Sequence, residues 1–181
     1  MKIIKIVLIS VIMLTVLSNI SCDSYTAEER LRRGISLNDE GLFKEAIKEF
    51  EKAVKIKPDY ADGYYNWGVA LRNLGRYEEA IEKYKDAARI APSYPEVYSD
   101  WGGTLVILGR YSEAIEKYKE AVRINPNLAE AYANLGITLV VLDRKEEAKE
   151  ELLTAMELFE KEGRGEDVKK VEELLKTLEK E

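Results

Sequence analysis

Side chains able to carry covalent or metal chemistry are scarce in this chain. It has no histidine and a single cysteine, Cys22, so it lacks the usual parts of a Cys–His or Ser–His nucleophile or a His-containing metal site. Carboxylates are plentiful, but pairs such as Glu78 and Glu79 follow the pattern of a solvated helix face. Gly75-Arg76 and Gly109-Arg110 read as turns, because neither has the spacing of a phosphate loop followed by lysine. What does recur is hydrogen-bonding chemistry. Asn66, Asp100 and Asn134 stand 34 residues apart, and amides and carboxylates at a fixed interval can bond the backbone of an extended peptide. This is the chemistry of binding. The chain is not expected to be an enzyme, and no cofactor, metal or small-molecule substrate is expected.

The interval of 34 organises the whole chain. Glycines stand at Gly34, Gly68, Gly102 and Gly136, and alanines at Ala46, Ala80, Ala114 and Ala148 and again at Ala53, Ala87, Ala121 and Ala155, while Pro58, Pro92 and Pro126 close the units. With 181 residues and 46% hydrophobic side chains the chain can bury a core. A charged fraction of 34% fits helices with solvated Lys and Glu faces. A net charge of −6, with Arg30, Arg32 and Arg33 as the one basic cluster, argues against nucleic acid as a partner.

The period and residue types resemble the tetratricopeptide repeat, a helix-turn-helix unit of about 34 residues. The resemblance implies an all-α, right-handed superhelical solenoid of about four units, at residues 27–60, 61–94, 95–128 and 129–162, closed by a capping helix at 165–181. The best matches are Tyr64, Trp67, Gly68, Leu71, Gly75, Tyr77, Ala80, Tyr84, Ala87 and Pro92 in the second unit, and Tyr98, Trp101, Gly102, Leu105, Gly109, Tyr111, Ala114, Tyr118, Ala121 and Pro126 in the third. Gly68 with Ala80, and Gly102 with Ala114, let paired helices approach while Trp67 and Trp101 fill the volume beside them. Gly75 and Gly109 end first helices, the prolines stop second helices, and Asp59, Ser93 and Asn127 are expected to cap the helices that follow. Thr26 and Glu29 read as a capping box. In the first unit Arg30 and Arg33 replace the aromatic residues, as expected at a solvated end with no preceding repeat. In the fourth, Asp143 replaces the turn glycine, Lys145 the aromatic and Glu160 the proline, so its second helix runs on to about Glu162. Val168, Val171, Leu175 and Leu178 form the apolar stripe of the last helix.

In this family the first helix of each pair lines a concave groove. By resemblance the groove takes Tyr65, Asn66, Val69, Arg72 and Asn73 from the second unit, Ser99, Asp100, Gly103, Val106 and Ile107 from the third, and Ala133, Asn134, Ile137, Val140 and Val141 from the fourth. Asn66, Asp100 and Asn134 would then form a polar ladder. Val69, Val106, Ile107, Ile137, Val140 and Val141 would form an apolar patch of the kind that marks a contact site, unless the curvature or the last helix covers them as core. The expected ligand is an extended or helical peptide with aliphatic side chains. The clamp with which some family members hold the acidic tail of chaperones is missing, because Leu31, Ile35, Asn66, Glu96 and Asp100 occupy its five places and only Asn66 matches.

At the N-terminus Lys2 and Lys5 precede an apolar run from Ile6 to Leu17, which reads as a signal peptide over residues 1–22. Ile20-Ser21-Cys22 resembles the end of the bacterial lipobox, where the cysteine is lipidated, although Asn19 stands where an aliphatic residue is the rule. The expectation is a protein of the bacterial cell envelope held to a membrane by lipid on Cys22; the alternatives are an ordinary cleaved signal, which frees a periplasmic or secreted module, and an uncleaved anchor. Only Asp23, Ser24, Tyr25 and Thr26 separate Cys22 from the first helix, a reach of about 14 Å. The first unit would lie near the headgroups, where its arginines could meet anionic lipid. The functional expectation is a scaffold that binds a protein or peptide partner and supports assembly of an envelope complex, pili, secretion machinery and cell-wall enzymes being the settings that the resemblance implies. The alternative is a structural or self-associating spacer.

Overall fold

The computed structural model describes residues 25–178, and the readings of residues 1–22, Cys22 included, lie outside them. Among the described residues nine helices follow one another: α1 (Ala27–Asp39), α2 (Phe43–Ile56), α3 (Ala61–Asn73), α4 (Tyr77–Ile90), α5 (Pro95–Ile107), α6 (Tyr111–Ile124), α7 (Ala129–Val141), α8 (Lys145–Lys161) and α9 (Gly165–Leu178). They pack as the pairs α1/α2, α3/α4, α5/α6 and α7/α8, and α9 lies on α8. The first helices of successive pairs also touch, α1 with α3, α3 with α5 and α5 with α7. That contact puts them on the inner side of the bend.

Glycine sets the distance within each pair. A Cβ built on Gly68 would lie 2.6 Å from the Tyr84 ring, one on Gly102 2.8 Å from the Tyr118 ring, and one on Gly136 2.6 Å from Leu152. Tyr84, Tyr118 and Leu152 are at most 2% exposed. These residues, and not the tryptophans, fill the volume beside the glycines. Trp67 and Trp101 are half-buried, stacked on Tyr64 and Tyr98 and covered by Lys83 and Lys117, whose ammonium groups lie 4.4 and 4.2 Å from the indole rings.

The helix ends follow the sequence in part. Thr26 and Glu29 form the capping box reciprocally, at 2.8 and 3.2 Å. Asp59, Ser93 and Asn127 do not cap the following helices. The N-cap positions are Tyr60, Tyr94 and Leu128, none of which makes a side-chain cap bond, because each proline turn is one residue longer than the expected cap geometry. Bonds from Gly63 N–H to Tyr60 C=O and from Ala131 N–H to Leu128 C=O close the first turns of α3 and α7 instead. Gly75 and Gly109 adopt φ of 79° and 71°, and in the fourth unit Asp143 takes the same left-handed place with φ of 55°. The helix α8 ends at Lys161, close to the expected point, and on α9 the expected stripe is buried at Val171 and Leu175 with Val168 and Leu178 packed beside them.

Arg30 departs from the expectation of a solvated or lipid-facing end. It is 4% exposed, its guanidinium is 2.7 Å from the Glu49 carboxylate, and Tyr25 lies over it at 4.7 Å. Glu49 occupies the place that Lys83 and Lys117 hold in the next two units. Arg30 and Glu49 thus stand at the repeat positions of Tyr64 and Lys83, whose ammonium lies 5.8 Å from the Tyr64 ring, while Arg33 holds the place of Trp67. Burial acts to raise the Glu49 pKa, but hydrogen bonds from Arg30 and Lys52 outweigh it and hold the carboxyl below its ordinary value.

Two outcomes are expected. Asp143→Gly should raise stability by about 1 kcal/mol, and Gly109→Asp should lower it by a similar amount, since a side chain in the left-handed region is strained; denaturant midpoints measure both. Glu49→Gln should cost about 3 kcal/mol at neutral pH by leaving Arg30 buried without its carboxylate. A depressed folded pKa gives stability that is present above the unfolded value of about 4.3 and lost as pH falls through the folded one. The gap between wild type and Glu49→Gln should therefore close only below about pH 4.

Candidate peptide-binding groove

The inner wall is built from α3, α5 and α7, each 13 residues long, so residues at the same repeat position form rows across the wall. The predicted polar row does not present three equivalent groups. The Asn66 side-chain amide donates to Asp62 C=O of its own helix at 2.8 Å. Asp100 accepts from the Tyr65 hydroxyl at 2.7 Å and from the Arg72 guanidinium at 2.6 Å, both on the neighbouring helix. Asn134 is exposed. Asp100 is thus the centre of a brace between the second and third units.

The electrostatics keep that brace in its charged, donating form. Burial and then the adjacent Asp100 carboxylate raise the Tyr65 pKa far above the ordinary phenol, so the hydroxyl stays a donor. Burial alone would lower the Arg72 pKa, but the Asp100 charge more than offsets it. Above the brace, Tyr65, Ser99 and Asp100 form the floor of a hollow of about 280 Å³ whose sides include Glu96, Leu128 and Glu130. No pattern in the residues marks this brace, because Tyr65, Arg72 and Asp100 lie at three different repeat positions.

The six apolar residues divide into two groups. Val69, Val106 and Val140 are half-buried and pack on the cores between helices. Ile107, Ile137 and Val141 remain 54%, 48% and 55% exposed. The patch is therefore smaller than the sequence implied and lies toward the fourth unit, with Ile107 and Val141 at the last positions of α5 and α7. Gly103 is half-buried beside the Tyr118 hydroxyl. Ala133, Asn134 and Ile137 share a second hollow of about 220 Å³ with Phe159, Arg164 and Val171. Asn73, at the end of α3, donates to the Asn38 side chain at 3.3 Å and so joins the first two units. Among the described residues no cluster of His, Cys, Asp or Glu could hold a metal ion.

The brace can be measured directly. In a double-mutant cycle of Arg72→Met and Asp100→Asn, the coupling should be about 1–2 kcal/mol, as for a partly buried charged hydrogen bond. A coupling near zero in denaturation experiments would show that solvent already replaces it.

A family model described as TPR repeat matches residues 102–140, and two described as tetratricopeptide repeat match residues 31–95 and 129–162. No curated protein matches the chain. Among solved structures, a crystal structure of MamA is 26% identical, with 81% of this chain and 86% of that chain covered and a TM-score of 0.74. MamA 41-end from Desulfovibrio magneticus RS-1 is 20% identical over 85% of this chain and 93% of that chain, with a TM-score of 0.68. PilF of Pseudomonas aeruginosa is 22% identical over 83% and 75%, with a TM-score of 0.66. The last two share the fold. With consecutive helix pairs, glycine-spaced contacts and these matches, residues 31–95 and 102–162 are tetratricopeptide repeats, and the chain has the all-α fold that they build.

Proposed function

We propose that the chain is a non-catalytic scaffold whose groove binds a peptide or protein segment with aliphatic side chains. The observation that carries the reading is the exposure of Ile107, Ile137 and Val141 together on one wall of a curved array. Exposed aliphatic groups clustered on a concave surface gain most from an apolar partner. Asn134, beside Ile137, is exposed and suited to bond the backbone of such a segment. Asp100 acts behind it as a structural acceptor that fixes the wall.

The protein is further proposed to work at a membrane of the bacterial cell envelope, tethered by lipid on Cys22. The support is the lipobox-like Ile20-Ser21-Cys22 after an apolar run. In that place a groove binder would help to assemble or stabilise an envelope complex.

The groove reading is tested with Ile107→Glu, Ile137→Glu and Val141→Glu, singly and together. Each site is exposed, so folding should change by only about 0.5 kcal/mol or less. Affinity capture from membrane extract of the native host should lose its partners while helicity is kept. An unchanged set of captured proteins would remove the groove as the main contact.

A further inference from the structure

The outer face of the first repeat differs from that of every later one. Lys44, Lys48, Lys52 and Lys55 follow helical spacing on α2, forming one exposed, predominantly basic stripe about 17 Å long in which Glu51 is the one acid. At the same repeat positions α4 carries Glu78, Glu82, Asp86 and Arg89, α6 carries Ser112, Glu116, Glu120 and Arg123, and α8 carries Glu146, Glu150, Thr154 and Glu157. A solvated helix face needs charge but not so large an excess of one sign. Lys44, Lys48 and Lys55 enter none of the ion pairs among the described residues, and Lys52 bonds Glu49 while keeping half of its side chain exposed. Elsewhere, Lys83, Lys85, Arg110, Arg123 and Arg144 are each paired with an acid three residues away.

The stripe ends where the chain starts. Because α2 runs back along α1, its last turn lies beside the first turn of α1, and Arg30, Lys52, Lys55 and Ile56 surround one hollow of about 470 Å³. Ile56 is 53% exposed there, and Tyr25, 47% exposed, lies over Arg30 at the point where the preceding segment joins. Lysines flanked by an exposed aliphatic residue and a tyrosine are the side chains that settle at a bilayer interface.

We propose that the outer face of α2 is a docking surface for an anionic lipid bilayer, with Lys44, Lys48, Lys52 and Lys55 on the headgroups and Ile56 and Tyr25 at the interface. The proposal extends the membrane tether proposed above, since a short link from Cys22 delivers this face to the surface first. Docked this way, the acidic outer faces of α4, α6 and α8 are repelled and the array stands away from the membrane, its groove free. Each lysine near an anionic surface contributes about fivefold to partitioning.

The test is amine footprinting of the full chain on vesicles. Acetylation of Lys44, Lys48 and Lys55 is compared on phosphatidylcholine alone and on phosphatidylcholine mixed with phosphatidylglycerol, with Lys169 and Lys176 on α9 as distant references. The expected result is protection of the α2 lysines on the anionic vesicles alone, relieved by salt and absent in Lys44→Glu/Lys48→Glu/Lys55→Glu, whose substitutions are on the surface. Equal labelling on both vesicles, with the protein bound to both, would overturn the docking face and leave the tether standing. Protection on anionic vesicles without binding to neutral ones would support the face and count against the tether. Protection seen only when membrane proteins are added would assign the stripe to a protein partner and overturn the proposal.

Discussion

The array depends on the contact between a glycine of the first helix and a large side chain of the second. Gly68 against Tyr84, Gly102 against Tyr118 and Gly136 against Leu152 fix the distance within each pair, leaving the rings and Leu152 nearly without exposure. Interiors packed this densely do not yield to an added methyl group. The pair distance in turn sets how the first helices meet across units, and so the curvature of the wall. The groove is a consequence of a missing Cβ.

A second constraint, at the outer edge of each pair, has been met in two chemically different ways. In the middle units a Trp ring lies under a Lys ammonium, which leaves the charge partly in water. In the first unit Arg30 and Glu49 are both buried and neutralise each other. Glu49 holds the repeat position of those lysines, while Arg30 holds that of Tyr64 and Tyr98 beside the tryptophans. The second arrangement withdraws the arginine from the surface and leaves the lysines of α2 to set the potential of that end.

Much of the fold was legible because it is carried by residues that recur at one interval, and the glycines, alanines and prolines do so without exception over three units. The N-caps were misread for a local reason: Asp59, Ser93 and Asn127 are good cap residues, but the turn after each proline places Tyr60, Tyr94 and Leu128 at the cap. The groove was legible as a set of positions but not as a set of exposures. Val69, Val106 and Val140 share a wall with Ile107, Ile137 and Val141, and only inter-helix packing decides which of them face outward. The Tyr65–Asp100–Arg72 brace was invisible, since it joins three different positions of the repeat and only one junction carries all three side chains.

That brace also makes the junctions of the stack chemically unlike. In a quasi-one-dimensional array each junction resists bending with its own contacts. The junction between the second and third units is held by two hydrogen bonds to Asp100, whereas the corresponding places at the next junction are Ser99, Val106 and Asn134, between which no such bond is formed among the described residues. The second-to-third junction is therefore tied by charged hydrogen bonds to Asp100, whereas the next one relies on apolar packing that includes Val106 and Val140. A rise in ionic strength therefore acts unequally along the stack, weakening the junction held by a charge more than the one held by apolar packing.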